Sequence, residues 1–359
     1  PPATSALNEL MKAGLVTEIG KKDNSTGRIP MVYDLIPTAG YFVGVNPEMD
    51  CLALAASDFS GNLITEKTRV PYVYENTPEN LEKVGKIIND FIASLPVSKE
   101  EILQVCVNVA ERVNPFEGRA YNMYTFLKES LTDKLTELIQ LPVCIENDSR
   151  SMAFAEFVKG RCRGLKDVIF VNVCWGLGIG IIMGGQLYYG KSGYSGEFGH
   201  MTAYNNNIIC HCGKIGCIET EVSGRALKRK LTEKIREGKT SILSDKVLNR
   251  KEDITLPDIL DAIAKEDVLS LATLQHIADE LGKQLAGIIN IFNPEMLVIG
   301  GEMSVTGDYL TLPVNMGIKK HSLNIMNEDS QIVTSELKDL AGITGACLMA
   351  RHRLLSEER

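Results

Sequence analysis

The stretch at 200–219, HMTAYNNNIICHCGKIGCIE, limits what this chain can fold into more than any other. Cys210, Cys212 and Cys217 stand as C-x-C-x₄-C, and nine residues separate His200 from the first of them. Three thiolates and one imidazole are the ligand set of a closed, tetrahedral zinc site in which the metal is structural. Gly213 and Gly216 allow turns tight enough for three sulfurs to face one ion. Ordinary buried thiols are the alternative. Against it, three of the nine cysteines fall within eight positions, beside Gly and His. A metal that fixed this run would also fix Glu197 just before it and Glu219 at its end.

The 359 residues, 44% hydrophobic and 23% charged, suffice for two or three domains with substantial cores. A net charge of −8 excludes a protein that coats nucleic acid non-specifically, but leaves room for a small DNA-reading module with its own local charge. The cysteine count is odd, and Cys106, Cys144 and Cys174 sit in apolar runs. Reduced thiols in a cytoplasmic protein fit this better than a disulfide framework. No signal peptide and no membrane-length apolar run are present. The chain begins at Pro1 without Met, inside what reads as an element, so further residues are expected upstream.

Residues 3–16, ATSALNELMKAGLV, place Leu7, Leu10, Met11 and Leu15 on one helical face and Thr4, Ser5 and Asn8 on the other. Two strands follow, 16–19 and 30–35, joined by a polar turn that carries Lys21, Lys22 and Arg28. A helix followed by a basic hairpin is the second half of a winged helix. Small polar residues on the helix suit base edges and phosphates, and cations on the wing suit the DNA backbone. A helix and hairpin that merely cap the next domain would have the same local pattern.

From residue 41 the texture is α/β. YFVGVN, CLALAASDF and LITEKTRVPY predict three successive strands, followed by a helix at 78–95 and a strand at 102–109. A helix at 124–140, a short buried strand in PVCIEND and a helix at 149–162 come next. The order then restarts with VIFVNVCW, GIGIIMGG and QLYYG as strands. The cysteine run follows as an insertion, then helices at 223–237, 256–265 and 268–292, the strand MLVIGG, a further helix and strand, and a closing helix at 341–354. Three meandering strands and then alternating helices and strands, twice over, predict two related α/β lobes with a ligand cleft between them.

Asn147 and Asp148 stand at the carboxyl end of the buried strand, where ligands of α/β proteins usually bind. Asp148 could take a proton from a substrate hydroxyl and Asn147 could bond a neighbouring one; equally, Asp148 could simply cap the helix that follows. With Glu197, His200 and Glu219 they form a polar set suited to a polyhydroxylated ligand. The WGLGIG turn (175–180) could bring backbone N–H groups to a phosphate, or could be a tight apolar hairpin. Gly300-Gly301 is a second turn of this kind.

These pieces together resemble the ROK family (repressors, open reading frames and sugar kinases), and within it repressors of the xylose and N-acetylglucosamine type. GEFGH (196–200) followed by CHCGKIGCIE (210–219) is the most specific match, and END (146–148), GLGIG (176–180) and NPEMLVIGG (293–301) match other landmarks. The resemblance implies a two-lobed, actin-like (ribonuclease H-like) fold. Its expected domains are a partial winged helix-turn-helix at 1–38, a first lobe at 39–148 completed by 341–359, and a second lobe at 149–340. It implies structural zinc on His200, Cys210, Cys212 and Cys217. It also implies sugar contacts from Asn147, Asp148, Glu197, His200 and Glu219, with Asp148 at the general-base position of the kinase members.

The departures separate the branches. Kinase members carry an Asp-x-Gly-Gly-Thr turn that presents backbone N–H groups to ATP phosphates. This chain has Asn46-Pro47-Glu48-Met49-Asp50, with an amide for the acid, no N–H at Pro47 and a carboxylate that repels phosphate. Leu177 stands where kinases usually have Thr, and Ala110-Glu111 replace a Pro-Gly turn, so the ligand's identity does not carry over. The expectation is a cytoplasmic, sugar-responsive regulator, a homodimer or homotetramer that reads operator DNA and binds a sugar or sugar phosphate. An ATP-dependent sugar kinase is the alternative, and a ligand-binding protein that no longer reads DNA is a third.

Overall fold

The computed structural model describes residues 2–21 and 31–356. Two compact units emerge, one of residues 1–148 and 343–359 and the other of residues 149–342.

The first unit opens with α1 (Pro2–Lys12), β1 (Val16–Lys21) and β2 (Met31–Leu35). The two strands pair antiparallel from Val16↔Leu35 to Lys21↔Met31, with a bulge between Glu18 and Gly20. α1 ends four residues before the sequence pattern does, because Gly14 at φ +72° turns the chain into β1. Then come β3 (Tyr41–Pro47), β4 (Cys51–Asp58), β5 (Leu63–Pro71), α2 (Pro78–Ala93), β6 (Ile102–Val109), the short pair β7 (Val113–Asn114) and β8 (Arg119–Ala120), α3 (Leu131–Ile139) and β9 (Val143–Asn147). Thr77 and Ser130 cap α2 and α3 by accepting N–H bonds from Asn80 and Asp133. The helix expected at 124–140 is shorter than predicted. Tyr124 takes φ +48° and buries its hydroxyl against Tyr72, 2.9 Å away, and Asn80, so 124–130 becomes a pinned loop that ends at the Ser130 cap. The C-terminal helix (Ala341–Leu355) packs on this unit, where Arg351 donates to the Phe59 carbonyl and Arg353 pairs with buried Glu146 at 3.3 Å.

The second unit comprises α4 (Asp148–Val158), β10 (Val168–Val173), β11 (Leu177–Met183), β12 (Gln186–Leu187), α5 (Gly224–Arg236), α6 (Leu256–Ala264), α7 (Val268–Phe292), β13 (Met296–Gly300), α8 (Asp308–His321), α9 (Asn324–Asp329) and β14 (Gln331–Thr334), before the C-terminal helix, α10. α4 stops short of 162 because the chain turns at Gly160, hard against the Glu156 carboxylate. The third strand is only two residues long, since Tyr189 leaves the sheet to lie under the Arg150 guanidinium, 5.3 Å from its ring centre.

The sheets are built alike. One has the order β5-β4-β3-β6-β9 and the other β12-β11-β10-β13-β14. In each, three antiparallel strands are followed by two that add in parallel to the first. The expected duplication is therefore present as one topology used twice. The carboxyl ends of β6 and β9 lead to Glu111, Arg112, Asn147 and Asp148, and the segment between β12 and α5 carries the other residues described below.

Asp267 shows how heavily one cap can be used. Its carboxylate accepts from the N–H groups of Ser270 and Ile242 and the hydroxyls of Ser241 and Ser270 at the start of α7. Burial raises its pKa, but these four donors outweigh it and the net shift is downward. Asp267→Ala should cost about 2 kcal/mol by denaturant unfolding. Because the folded pKa lies below the unfolded one, the stabilisation is complete above about pH 4 and fades as pH falls through the folded value. The wild-type and variant stability curves should therefore converge in acid.

Candidate metal centre and ligand residues

Cys210, Cys212 and Cys217 come together on a small knuckle. Ile209 and Ile215 bridge across it, the Cys210 N–H reaches the Lys214 carbonyl at 2.8 Å, and Gly213 closes the turn onto the Cys210 carbonyl. Gly216 sits at φ +77°, and a Cβ there would lie 2.0 Å from the Tyr204 carbonyl oxygen, so no other residue fits. His200 ends a short 3₁₀ turn (Phe198–His200) that brings its ring to the sulfurs.

The four donor atoms lie within 4.8 Å of one another. His200 Nδ1 is 3.6 Å from Cys210 Sγ, and Cys212 Sγ is 3.6 Å from Cys217 Sγ. Zinc–sulfur arms of about 2.3 Å and zinc–nitrogen arms of about 2.0 Å at tetrahedral angles put neighbouring donors roughly 3.6–3.8 Å apart. The residues therefore fit a zinc-sized ion. Burial, with Cys212 and Cys210 beside it, pushes the Cys217 thiol up to about 12, and burial also raises Cys210. A divalent cation supplies the charge that lets three thiolates share such a space.

The other face of His200 carries the polar residues. Its Nε2 stands 3.7 Å from the Glu197 carboxylate, so one nitrogen faces the sulfurs and the other an acid. Glu219, 5% exposed, accepts the Leu177 N–H on Oε2 at 3.1 Å. Its Oε1 is 2.9 Å from His211 Nδ1, and Arg225 approaches both residues. Burial acts to raise the Glu219 pKa, but the His211 contact and the Leu177 N–H outweigh it and hold the carboxyl below its ordinary value. The imidazoles of His200 and His211 meet edge to face, centroids 5.0 Å apart. Sequence reasoning passed over His211; its signal was a third polar residue enclosed between two cysteines of a tight knuckle.

In the first unit, Asn147 ends β9 with its amide 3.4 Å from the Glu111 carbonyl, and Asp148 begins α4. Arg112, also passed over, follows Glu111 in the chain. Its Nε and Nη2 are buried with no hydrogen bond among the described residues, and Glu111 is 3.8 Å away.

The glycines of GLGIG are accounted for by packing. A Cβ on Gly176 would lie 2.9 Å from the Glu219 carboxylate, and one on Gly178 would lie 2.3 Å from Ser149 Oγ. One on Gly180 would strike Ala153 and the Ser149 carbonyl. The segment is the antiparallel hairpin β10–β11, and its glycines admit α4 and Glu219. At 46–51 the turn is closed on itself. The Glu48 N–H bonds the Cys51 carbonyl, Cys51 Sγ donates to the Glu48 carboxylate at 3.1 Å, and buried Asn46 accepts from Asn108. Burial, with Glu48 beside it, pushes the Cys51 thiol up to about 12.

On α1, Thr4, Ser5 and Asn8 are exposed. Lys22 and Arg28 lie outside the described residues, as does the side chain of Lys21.

Twin five-stranded sheets of one topology, with a cysteine–histidine knuckle on the second, define the two-lobed actin-like α/β class. Residues 43–353 match the ROK family model, and the chain belongs to the ROK family. A xylose repressor from Caldicellulosiruptor bescii is 27% identical over 354 residues, covering 97% of this chain and 88% of the repressor. Among solved structures, a ROK family transcriptional regulator, a homologue of the Escherichia coli MLC protein, superposes with a TM-score of 0.80 at 25% identity, over 98% of this chain and 88% of that one. A ROK family glucokinase from Streptomyces griseus, in complex with glucose and AMPPNP, gives 0.75 at 26%, over 87% and 100%. No helix among the described residues is long and apolar enough to cross a membrane.

Proposed function

We propose that this chain is a cytoplasmic, sugar-responsive transcriptional regulator that reads operator DNA, and that it is not a kinase. The closed turn at 46–51 carries the reading. Its Glu48 N–H is already used, Pro47 has none to give, and the Glu48 and Asp50 carboxylates repel a nucleotide's phosphates. The residues suited to sugar hydroxyls, Asn147, Asp148, Glu197, His200 and Glu219, are all kept. Similarity to a repressor over nearly the whole chain supports the same reading. Zinc on His200, Cys210, Cys212 and Cys217 would hold the knuckle, and with it His211 and Glu219, in place. DNA would be met by Thr4, Ser5 and Asn8 on α1 and by the ribbon that carries Lys21, Lys22 and Arg28. The sugar acts by binding more tightly to one of two states of the protein than to the other.

Arg112 gives a phosphorylated sugar a cation to pair with. A melting screen should therefore compare pentoses, hexoses and N-acetylhexosamines with their phosphates, since a ligand of the folded state alone raises its stability. The expected hit shifts both the melting temperature and operator affinity. A coupled ADP-release assay on the same panel should stay far below ordinary enzyme rates of roughly 1 s⁻¹ or more. Turnover at such rates would mean that Asp148 works as the base of a sugar kinase, and would refute the regulator reading.

A further inference from the structure

One edge of the Arg112 guanidinium is left over. Its Nε and Nη2 are enclosed by protein without a hydrogen bond among the described residues, and Glu111 lies 3.8 Å from Nη2, beyond hydrogen-bond reach. Two other buried arginines are occupied. Arg150 donates to the Gly193 carbonyl and lies over the Tyr189 ring, and Arg353 reaches the Glu146 carboxylate at 3.3 Å. Two enclosed donors on a cation are costly to leave unmade. The Arg112 side chain as a whole is 28% exposed, so solvent reaches it from one side.

The chain holds this edge in place. The Arg112 carbonyl accepts the Tyr121 N–H at 2.9 Å. β7 and β8 pair Val113 with Ala120 and Asn114 with Arg119, and the Asn114 side chain accepts the N–H groups of Phe116 and Glu117 in the loop between them. The carbonyl that Asn147 Nδ2 approaches at 3.4 Å belongs to the peptide joining Glu111 to Arg112. The segment that presents Arg112 is thus tied to a residue assigned above to the sugar, and a fork fixed in advance loses little freedom on binding.

Nε–H and Nη2–H lie side by side in one plane, the fork that receives a carboxylate or a phosphate through two parallel bonds. Glu111 selects between the two. A carboxylate brings one negative charge to its side and a phosphate nearly two, and like charges a few ångströms apart repel. We propose that the effector is an acidic sugar, a hexuronate or an aldonate, whose carboxylate docks on the Nε–Nη2 edge of Arg112. The inference rests on the reading of Asn147 as a sugar contact and narrows that reading to one ligand class.

Glucuronate, galacturonate, gluconate and xylonate are the probes, added to the whole zinc-loaded chain and followed by thermal melting and titration calorimetry. At least one should bind about tenfold or more tighter than glucose, galactose, xylose and glucose 6-phosphate. Arg112→Ala should weaken that acid by about 100-fold, with circular dichroism and zinc content unchanged. Arg112→Lys should recover little of the loss, because an ammonium has no fork. Glu111→Gln tests selection, which a merely structural Arg112 would not move: it should shrink the preference for the acid over glucose 6-phosphate by about tenfold. A neutral sugar or glucose 6-phosphate that binds as tightly as every acid overturns the inference and leaves the regulator reading standing. So does undiminished affinity for the acid in folded Arg112→Ala. If that variant fails to fold, Arg112→Lys and Glu111→Gln decide, and wild-type behaviour of either one overturns the inference. Silence from every sugar in both assays overturns it together with the sugar-responsive reading beneath it.

Discussion

Stripping zinc from the purified chain with a strong chelator is expected to lower the melting temperature of the second unit by about 10 °C, equivalent to about 4 kcal/mol. The knuckle has little else to hold it. Ile209 and Ile215 are exposed, Cys212 is only half-buried, and the backbone bonds within 208–217 are few. Without a cation, Cys210 and Cys217, whose thiol pKa values burial raises, stay protonated, and the knuckle can open. Opening would release His211 and, through it, one of the contacts that hold Glu219 beside the Leu177 N–H and Arg225. Sugar response should therefore disappear together with the metal. Cys217→Ser should reproduce both losses, because Cys217 is fully buried and a hydroxyl there is a poor substitute for a thiolate. Metal analysis should find a single zinc ion per wild-type chain. Apo protein with an unchanged melting temperature would show that the cluster is only a set of packed thiols.

Glu219→Ala should abolish the sugar's effect on operator binding while the fold survives. Removing one charged hydrogen-bonding partner should weaken sugar binding by about 100-fold. The cost to stability is smaller, about 1–3 kcal/mol, for leaving the Leu177 N–H and His211 without their acceptor. Glu219→Gln keeps an acceptor for the Leu177 N–H and loses the charge, so it should be nearly as stable as wild type and still respond poorly. Isothermal titration with the ligand found by melting, and gel-shift titration of operator DNA with and without it, give the two readouts. A variant that binds sugar weakly but still grips operator as tightly as wild type assigns Glu219 to the effector site. A normal response from Glu219→Ala would remove Glu219 from that site.

Much of the fold could be read from local chemistry. The amphipathic repeat from Pro78 and the apolar run CLALAASDF are legible as a helix and a buried strand, and α2 and β4 follow them. The readings that failed were those a distant partner decides. Residues 124–130 have a helix-like composition, but the Tyr124 hydroxyl finds Tyr72 and Asn80, and its backbone follows. At GLGIG, by contrast, the sequence left a phosphate-approaching turn and an apolar hairpin both open, and the structure shows a hairpin whose glycines admit Ser149 of α4 and Glu219.

By itself the sequence determined the cysteine–histidine spacing of the knuckle, the repeated strand–helix order and a turn at 46–50 without glycine, because each depends on residue type and spacing along a short stretch. The tertiary structure alone decided which nitrogen of His200 faces the sulfurs, that Glu219 is held by Leu177 and His211, and that Nε and Nη2 of Arg112 are enclosed without a hydrogen bond among the described residues. Those facts depend on side chains that meet only after distant segments have packed, where contact distance rather than sequence distance sets the energy.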